Sequence, residues 1–292
     1  MSELVQGFEI TQALAAQRDG QPQRNGSLRV AVPVSVVQTL LAKSESYMDQ
    51  RHRLAASGTI DDIVARGTAT HRLCWCAIFW LMLLLGLRAD SIGGMTEPGD
   101  LRVTPDMCIK FTVRRVKRRN VADAGVLKPF VRQIPAPRSA NSLRGKVHAV
   151  IKAASELQDS DGQPLMLSLI GTPSQTSDRV TKAMQTILPP ADTPDVAKGT
   201  FISSHSWRKT GASALADFCS LFQVKRWGMW KTTSSCERYV DDTFHCPGNF
   251  MRELFDWMTT SRTAGTSEDW NGWTGYDGTQ DEADDGITAD SE

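Results

Sequence analysis

The feature that most constrains this fold is an apolar run of fifteen residues, LCWCAIFWLMLLLGL, at Leu73–Leu87. Arg72 and Arg88 flank the run. Fifteen residues are few for a membrane span, which needs about 20. Apolar side chains on every face predict a helix that is enclosed by protein, here at 71–87 with Arg88 at its end.

Periodicity on either side of this run predicts a mainly helical chain with one small sheet. Further helices are expected at 33–50, 61–66, 142–157, 176–188, 204–218, 220–229, 236–240 and 249–259. Between 101 and 136 the period of the pattern approaches two, which favours strands within 101–120 and 126–136 and a turn near 123–125. The expected fold class is therefore α+β, with a small antiparallel β-sheet.

The charge of the chain is divided between two unlike parts. The whole sequence has 33 basic and 33 acidic residues. Nine of the acidic residues, and no Lys or Arg, lie in 267–292, so 33 − 9 leaves 24 acidic against 33 basic residues in 1–266. A basic body favours a polyanionic partner. We expect a linker at 1–31, a folded domain at 32–261 and an acidic, disordered tail at 262–292.

The cysteines favour a reducing compartment. The six thiols have no spacing typical of a zinc site, because Cys74 and Cys76 are separated by one residue and no matching Cys/His pair follows. No signal peptide is recognised at the start of the sequence. We therefore expect reduced thiols in an intracellular protein with no membrane segment.

The stretch SHSWRKTGAS at 204–213 combines a histidine and an arginine three residues apart. On a helix, positions i and i+3 lie on one face, so His205 and Arg208 would point at the same place. Such a pair suits an anion, and phosphate is the commonest one. The alternative is the solvated end of a helix that carries both residues by chance.

Four other positions extend this pair into an ordered set. Arg88 occurs in GLRADS, Lys117 in the basic run RRVKRRN, and Trp230 and Tyr239 lie nine residues apart in WGMWKTTSSCERYV. The order and spacing resemble the tyrosine recombinase, or phage integrase, family over roughly 34–242. Some of the motifs also resemble recombinases of eukaryotic mobile elements. The full set is Arg88, Lys117, His205, Arg208, Trp230 and Tyr239.

The resemblance implies a role for each residue. Tyr239 would attack a DNA phosphodiester, while Arg88 and Arg208 would bind its non-bridging oxygens. His205 would assist proton transfer and orient the phosphate, and Lys117 would protonate the departing 5′-oxygen. Trp230 would pack at the site and offer its indole N–H. The residues beside Lys117 would contact DNA phosphates; they are Arg114, Arg115, Arg118 and Arg119.

This chemistry needs neither metal nor cofactor. Two fixed guanidiniums match the negative charge that gathers on the equatorial oxygens. The phenolic ester preserves the bond energy, so that ATP is not required for resealing. The sequence shows no carboxylate cluster of the kind that two-metal nucleases use.

The resemblance also implies partners and a place in the cell. Double-stranded DNA would be the substrate, and a homo-oligomer, a tetramer at synapsis, would pair two sites. The apolar stripe of the helix at 249–259 would dock on a neighbouring protomer; the alternative is that this helix packs back on its own domain. Residues 1–31 would be a linker or the remnant of a core-binding domain. The protein would be nuclear in a eukaryote and cytoplasmic in a prokaryote.

Each residue also has a plainer interpretation. Arg88 alone suits a helix C-terminus, the run around Lys117 suits a solvated face or a nuclear localisation signal, and Trp230 suits a core position for which Trp227 competes. The alternative function is a recombinase-derived DNA-binding protein that lacks efficient strand exchange. A helical protein with no nucleic-acid partner is the third hypothesis.

Overall fold

A computed structural model describes residues 28–56, 58–114, 130–193, 200–230, 232–241, 244 and 248–260. The predicted tail at 262–292 and most of the predicted linker at 1–31 lie outside these residues. The segment 115–129, which includes Lys117, also lies outside them.

The centre of the fold is one long helix. Helix α1 (Val34–Arg53) packs against helix α2 (Ile60–Leu85), and α2 contains the apolar run. By length and composition α2 could cross a membrane, but 72% of its most apolar window is buried in the protein. The prediction of a buried core helix is confirmed.

The predicted bounds of this helix are wrong at its start and at its end. The segments expected at 61–66 and 71–87 are a single helix, α2. Gly67 lies inside it at a cost of about 1 kcal/mol relative to alanine, which the burial of thirteen side chains of α2 outweighs. The helix ends at Leu85 because Gly86 adopts a left-handed conformation with φ 57°, which glycine reaches without steric cost.

The sheet is antiparallel and small. Strands β2 (Leu101–Val103), β3 (Ile109–Val113) and β4 (Phe130–Ile134) lie in the order β2-β3-β4, and Phe111 of β3 pairs with Arg132 of β4. A separate parallel pair joins β1 (Leu28–Arg29) to β5 (Thr200–Phe201), so regular structure begins before the predicted domain boundary at 32.

The remaining helices surround α2. They are α3 (Ala89–Ile92), α4 (Leu143–Ser155), α5 (Leu165–Ile170), α6 (Pro173–Ile187), α7 (Ser204–Ala216), α8 (Leu221–Gly228), α9 (Thr233–Glu237), α10 (Phe250–Leu254) and α11 (Asp256–Thr260). Of these, α3 and α5 were not predicted from the sequence. Helices α4 and α7 pack on α2, and α3 packs on α6. The mainly helical α+β class with a small antiparallel sheet is confirmed.

The last two helices pack on their own domain. Met251, Leu254 and Phe255 are fully buried. The ring of Phe255 meets Trp227 edge-on at 6.0 Å between centroids. The apolar stripe expected to dock on a neighbouring protomer is thus covered by the chain's own core. Phe250 and Trp257 of the stripe are only partly buried, and docking on a neighbouring protomer stays a prediction.

Candidate active site

Helix α7 carries His205 and Arg208. It begins at Ser204 because the Ser203 side chain caps the free N–H groups of the first turn, in a capping box with Ser206. Trp207 is fully buried and stacks on Phe79 of α2 with centroids 5.5 Å apart. This contact fixes the rotation of α7 about its axis.

Arg208 joins the ends of two helices. Its side chain is almost fully buried, at 2% exposure. Nη1 donates to the carbonyl oxygen of Gly86 at 2.8 Å, and Nη2 donates to the carbonyl oxygen of Gly228. These carbonyls lie at the C-terminal ends of α2 and α8, where the helix dipole favours a cation.

A second buried arginine, Arg132 of β4, lies beside Arg208. It is 4% exposed and donates Nη1 to the carbonyl of Leu85 and Nη2 to that of Trp227, the latter at 2.6 Å. Arg132 was not among the site residues predicted from the sequence. Strand alternation could have found it, because Arg132 shares a face with the buried Phe130 and Ile134.

The site is electropositive. Burial, and next the charge of Arg88, lower the pKa of Arg208 to about 9. Burial, and next the charge of Arg208, lower the pKa of Arg132 to about 9. Both guanidiniums are charged at pH 7, because these pKa values lie well above it. In the described part of the chain Arg208 forms no ion pair.

Arg88 lies at a helix start rather than at a helix end. After Gly86 ends α2, Arg88 becomes the N-cap residue of α3, and its carbonyl accepts from the N–H groups of Ser91 and Ile92. The interpretation of Arg88 as a cation at the C-terminus of the buried helix is therefore wrong. The turn at Gly86 directs the chain away from the α2 axis and brings Arg88 close enough to act on the charge of Arg208.

Three buried N–H groups of the predicted site residues have no acceptor among the described residues. They are Nε of Arg88, Nε of Arg208 and Nε1 of Trp230. More than about 90% of buried polar groups in folded proteins are hydrogen-bonded. These three donors leave hydrogen-bonding capacity for an acceptor near Arg208 and Trp230.

Trp230 packs against both Arg208 and Tyr239, and the Arg208 guanidinium carbon is itself 5.4 Å from the Tyr239 ring centroid. The Arg208 guanidinium carbon is 4.3 Å from the Trp230 ring centroid, and the Trp230 and Tyr239 rings are 5.0 Å apart. Trp227, the competing tryptophan, donates its indole N–H to the carbonyl of Leu84 at 2.8 Å. Trp230 is therefore the tryptophan with an N–H to offer, and Trp227 is structural.

Tyr239 lies in a turn rather than in a helix. The helix expected at 236–240 is α9, which ends at Glu237, and the Tyr239 N–H donates to the carbonyl of Cys236 at 2.8 Å. The ring is half-buried, at the surface of the site.

Helix α7 holds this turn in place. Ser213 Oγ donates to the Tyr239 carbonyl at 3.4 Å and accepts from the Asp241 N–H at 2.8 Å. Lys209 Nζ pairs with Asp241 Oδ2 at 2.8 Å. Residues Lys209, Ser213 and Asp241 were not singled out from the sequence, since a Lys and a Ser four residues apart on a helix carry no distinctive signal.

Of the other predicted site residues, only His205 and Arg114 are among the residues that the structure describes. His205 is half-buried in the first turn of α7, with Nδ1 3.5 Å from Ser204 Oγ. Lys117, Arg115, Arg118 and Arg119 lie outside the described residues. Arg114 is described, and its guanidinium binds the buried Asp100 at 2.8 Å and Glu97 at 2.6 Å. These carboxylates hold Arg114 at the base of the β3–β4 connection, and a contact with DNA stays a prediction.

Two of the cysteines lie in the core helix, away from this chemistry, whereas Cys236 lies close enough to Arg208 to interact with its charge. Cys74 and Cys76 are buried in α2, and burial raises the pKa of each thiol to about 12, so both are unreactive core residues. Within the described ranges, no group of three or more His, Cys, Asp or Glu side chains could hold a metal ion.

Comparison with known proteins yields no match, either to a protein-family model or to a curated protein.

Proposed function

We propose that this chain is a tyrosine-recombinase-like DNA strand transferase. One observation carries the proposal: the buried N–H donors of Arg88, Arg208 and Trp230 lack acceptors among the described residues, and both Arg208 and Trp230 lie against the ring of Tyr239. A phosphodiester supplies anionic oxygens for these donors, and a phenol supplies the nucleophile. The coarse α+β fold is compatible with this family.

The proposed reaction exchanges one phosphoester for another. The Tyr239 oxygen attacks phosphorus and loses its proton, which His205 helps to transfer, while the bond to the 5′-oxygen of the next nucleotide breaks. The products are a 3′-phosphotyrosyl ester and a free 5′-hydroxyl, whose proton Lys117 would supply. Attack by a 5′-hydroxyl reverses the step and reseals the strand, so that no net hydrolysis occurs.

The described geometry suits the charge that develops. Arg88 and Arg208 act from a buried, electropositive place where electrostatic stabilisation is stronger than in water. Because Arg208 is held by two backbone carbonyls, it needs little reorganisation when the charge develops. Its Nε–H, which has no acceptor among the described residues, is then available to the phosphate.

Duplex DNA is the proposed substrate because of the charge balance of the chain. Residues 1–266 carry an excess of nine basic residues, by 33 − 24. Such an excess favours a polyanion over a small phosphate ester. Pairing of two sites would require a homo-oligomer, and in a eukaryote the protein would act in the nucleus.

A covalent trapping experiment tests the proposal. The purified chain is incubated with nicked suicide duplexes, from which the cleaved end diffuses away, and adducts are resolved by denaturing electrophoresis. We expect a protein–DNA adduct with the wild type and none with Tyr239→Phe. Tyr47→Phe is the matched control, because Tyr47 lies in the core on α1, and it should form the adduct.

Two outcomes count against the proposal. An adduct with Tyr239→Phe would assign the nucleophile elsewhere. Tight DNA binding by a wild type that never forms an adduct would favour the recombinase-derived DNA-binding protein.

A further inference from the structure

Two arginines bridge the same two helix ends through neighbouring carbonyls. Arg208 spans Gly86 and Gly228, while Arg132 spans Leu85 and Trp227. Leu85 directly precedes Gly86, and Trp227 directly precedes Gly228. Two arginines, one from α7 and one from the sheet, thus each hydrogen-bond both the end of α2 and the end of α8.

The carbonyls that Arg132 binds lie close in sequence to the donors of the candidate site. Arg88 follows Leu85 by three residues, and Trp230 follows Trp227 by three residues. Each interval is a short turn at a helix end, Gly86 in the first case and Met229 in the second, and both turns have positive φ. A shift of either helix end would therefore move the donor that follows it, Arg88 after α2 or Trp230 after α8.

We propose that Arg132 is a positioning residue, which holds the ends of α2 and α8 at the separation that lets Arg88 and Trp230 bind one phosphate. This inference rests on the proposed function. Arg132 is buried and donates from both of its terminal nitrogens to backbone carbonyls, so it acts on the phosphate through Arg88 and Trp230 rather than by touching it.

The role requires a guanidinium. Its planar fork presents two Nη groups at a fixed separation, which can reach two carbonyls on different helices at once. A lysine ammonium is a compact point charge on a flexible side chain, and it would hydrogen-bond one carbonyl or the other. Arg132→Lys therefore keeps the positive charge but cannot hydrogen-bond both carbonyls at once. The variant thus tests the effect of positioning separately from the effect of charge.

Arg144 of α4 is the matched control. It is also buried, and it also donates to two backbone carbonyls, those of Pro135 and Ala136. Its further partner is Asp256 of α11, at 2.7 Å. Arg144→Lys thus removes a comparable pair of hydrogen bonds. Those bonds hold the loop after β4, and the ion pair with Asp256 holds the C-terminal helices, so the ends of α2 and α8 are not affected.

The first experiment measures single-turnover adduct formation on nicked suicide duplexes at saturating DNA, together with the dissociation constant for the same DNA. Arg132→Lys should slow adduct formation by about 10²-fold, the effect of misplacing catalytic groups by about 1 Å, while DNA affinity changes by less than about three-fold. Arg144→Lys, compared at equal folded fraction, should keep the wild-type rate within about three-fold.

The second experiment needs no DNA and uses tungstate as a tetrahedral oxyanion. Calorimetric titration should give about ten-fold weaker tungstate binding for Arg132→Lys than for the wild type, and unchanged binding for Arg144→Lys. If Arg132→Lys does not fold, Arg132→Gln is measured instead, because glutamine reaches one carbonyl at most.

The outcomes separate this inference from the proposed function. A wild type that forms no adduct refutes the strand-transfer proposal, and the tungstate titration alone then decides the role of Arg132. The inference is overturned if Arg132→Lys binds tungstate like the wild type, or if Arg144→Lys loses as much adduct rate and tungstate affinity as Arg132→Lys. It is also overturned if the wild type binds no tungstate.

Discussion

Replacement of Gly228 by alanine should disable the candidate site through a single methyl group. A Cβ atom on Gly228 would lie 1.6 Å from Cζ3 of Trp230 and within 2.3 Å of two further ring atoms. An ordinary carbon contact is about 3.5–4 Å, so the indole would have to move by about 2 Å. It would then leave the Arg208 guanidinium, now 4.3 Å from its ring centroid, and the ring of Tyr239.

Both stability and activity should respond. Overpacking of a buried side chain costs about 1–3 kcal/mol in the free energy of unfolding. A displacement of about 1 Å at a catalytic group can cost 10²-fold in rate, so adduct formation by Gly228→Ala should fall by at least about that factor. Urea unfolding and single-turnover trapping on suicide duplexes measure the two effects.

The matched control is Gly67→Ala. Gly67 lies inside α2, and a Cβ atom there would meet nothing within 4 Å. That variant should gain about 0.5–1 kcal/mol from helix propensity and cleave like the wild type.

A double variant tests the cause. In a Trp230→Ala background the indole is gone, so Gly228→Ala should no longer destabilise the protein. The reasoning is refuted if Gly228→Ala is as stable and active as the wild type, or if its destabilisation persists when Trp230 is alanine.

Three further predictions follow from the described contacts. Trp230→Phe removes a donor that has no acceptor within the described part of the chain, so it should cost little stability but slow adduct formation by about 10²–10³-fold. Trp227→Phe leaves the carbonyl of Leu84 without this partner and should lower the free energy of unfolding in urea by about 1–3 kcal/mol. Arg114→Gln should lower the melting temperature, because it leaves the buried Asp100 without its ion pair. If Arg114 also binds DNA as predicted, the variant should reduce the magnitude of the slope of log affinity against log salt by about 0.9, the contribution of one phosphate contact; an unchanged slope would refute that contact. Burial lowers the pKa of His148 to about 4. Between this value and the unfolded pKa of about 6.5, the unfolded chain binds a proton that the folded chain does not bind, so the free energy of unfolding should fall by about 3 kcal/mol between pH 6.5 and 4. His148→Gln should show a shallower decline with falling pH.

The features that the sequence predicted are those with strong local signals. The apolar run predicted the core helix because no polar face is available to water. The spacing of His205 and Arg208 predicted a shared helix face, and the structure has both residues on α7. The pattern of alternation predicted strands in the regions where β2, β3 and β4 occur.

The features that it missed depend on contacts between distant segments. The division of α2 at Gly67 was wrong because local glycine propensity is weak beside the burial of the helix. Arg88 was assigned to a helix end because the stop signal of Gly86 inside the apolar run was not used, so the start of a new helix at Arg88 was missed. Arg132 was passed over because one arginine in a strand becomes meaningful only when Leu85 and Trp227, at separations of 47 and 95 residues, are known to lie beside it.

The C-terminal stripe shows a limit of the same kind. Its spacing predicted an apolar face, and that face exists. Whether it is covered by the same chain or by another depends on Phe255 reaching Trp227, which periodicity cannot reveal.

The most direct test of the central claim is to identify the residue and the DNA end that become joined. Trapped adducts from suicide duplexes are digested with protease, and the DNA-linked peptide is sequenced by mass spectrometry. The released strand is tested for a free 5′-hydroxyl by enzymatic phosphorylation. We predict a link to Tyr239 through a 3′-phosphate and a free 5′-hydroxyl on the other strand end. A link to any other residue, a 5′-phosphate link, or cleavage without a covalent link would contradict the account.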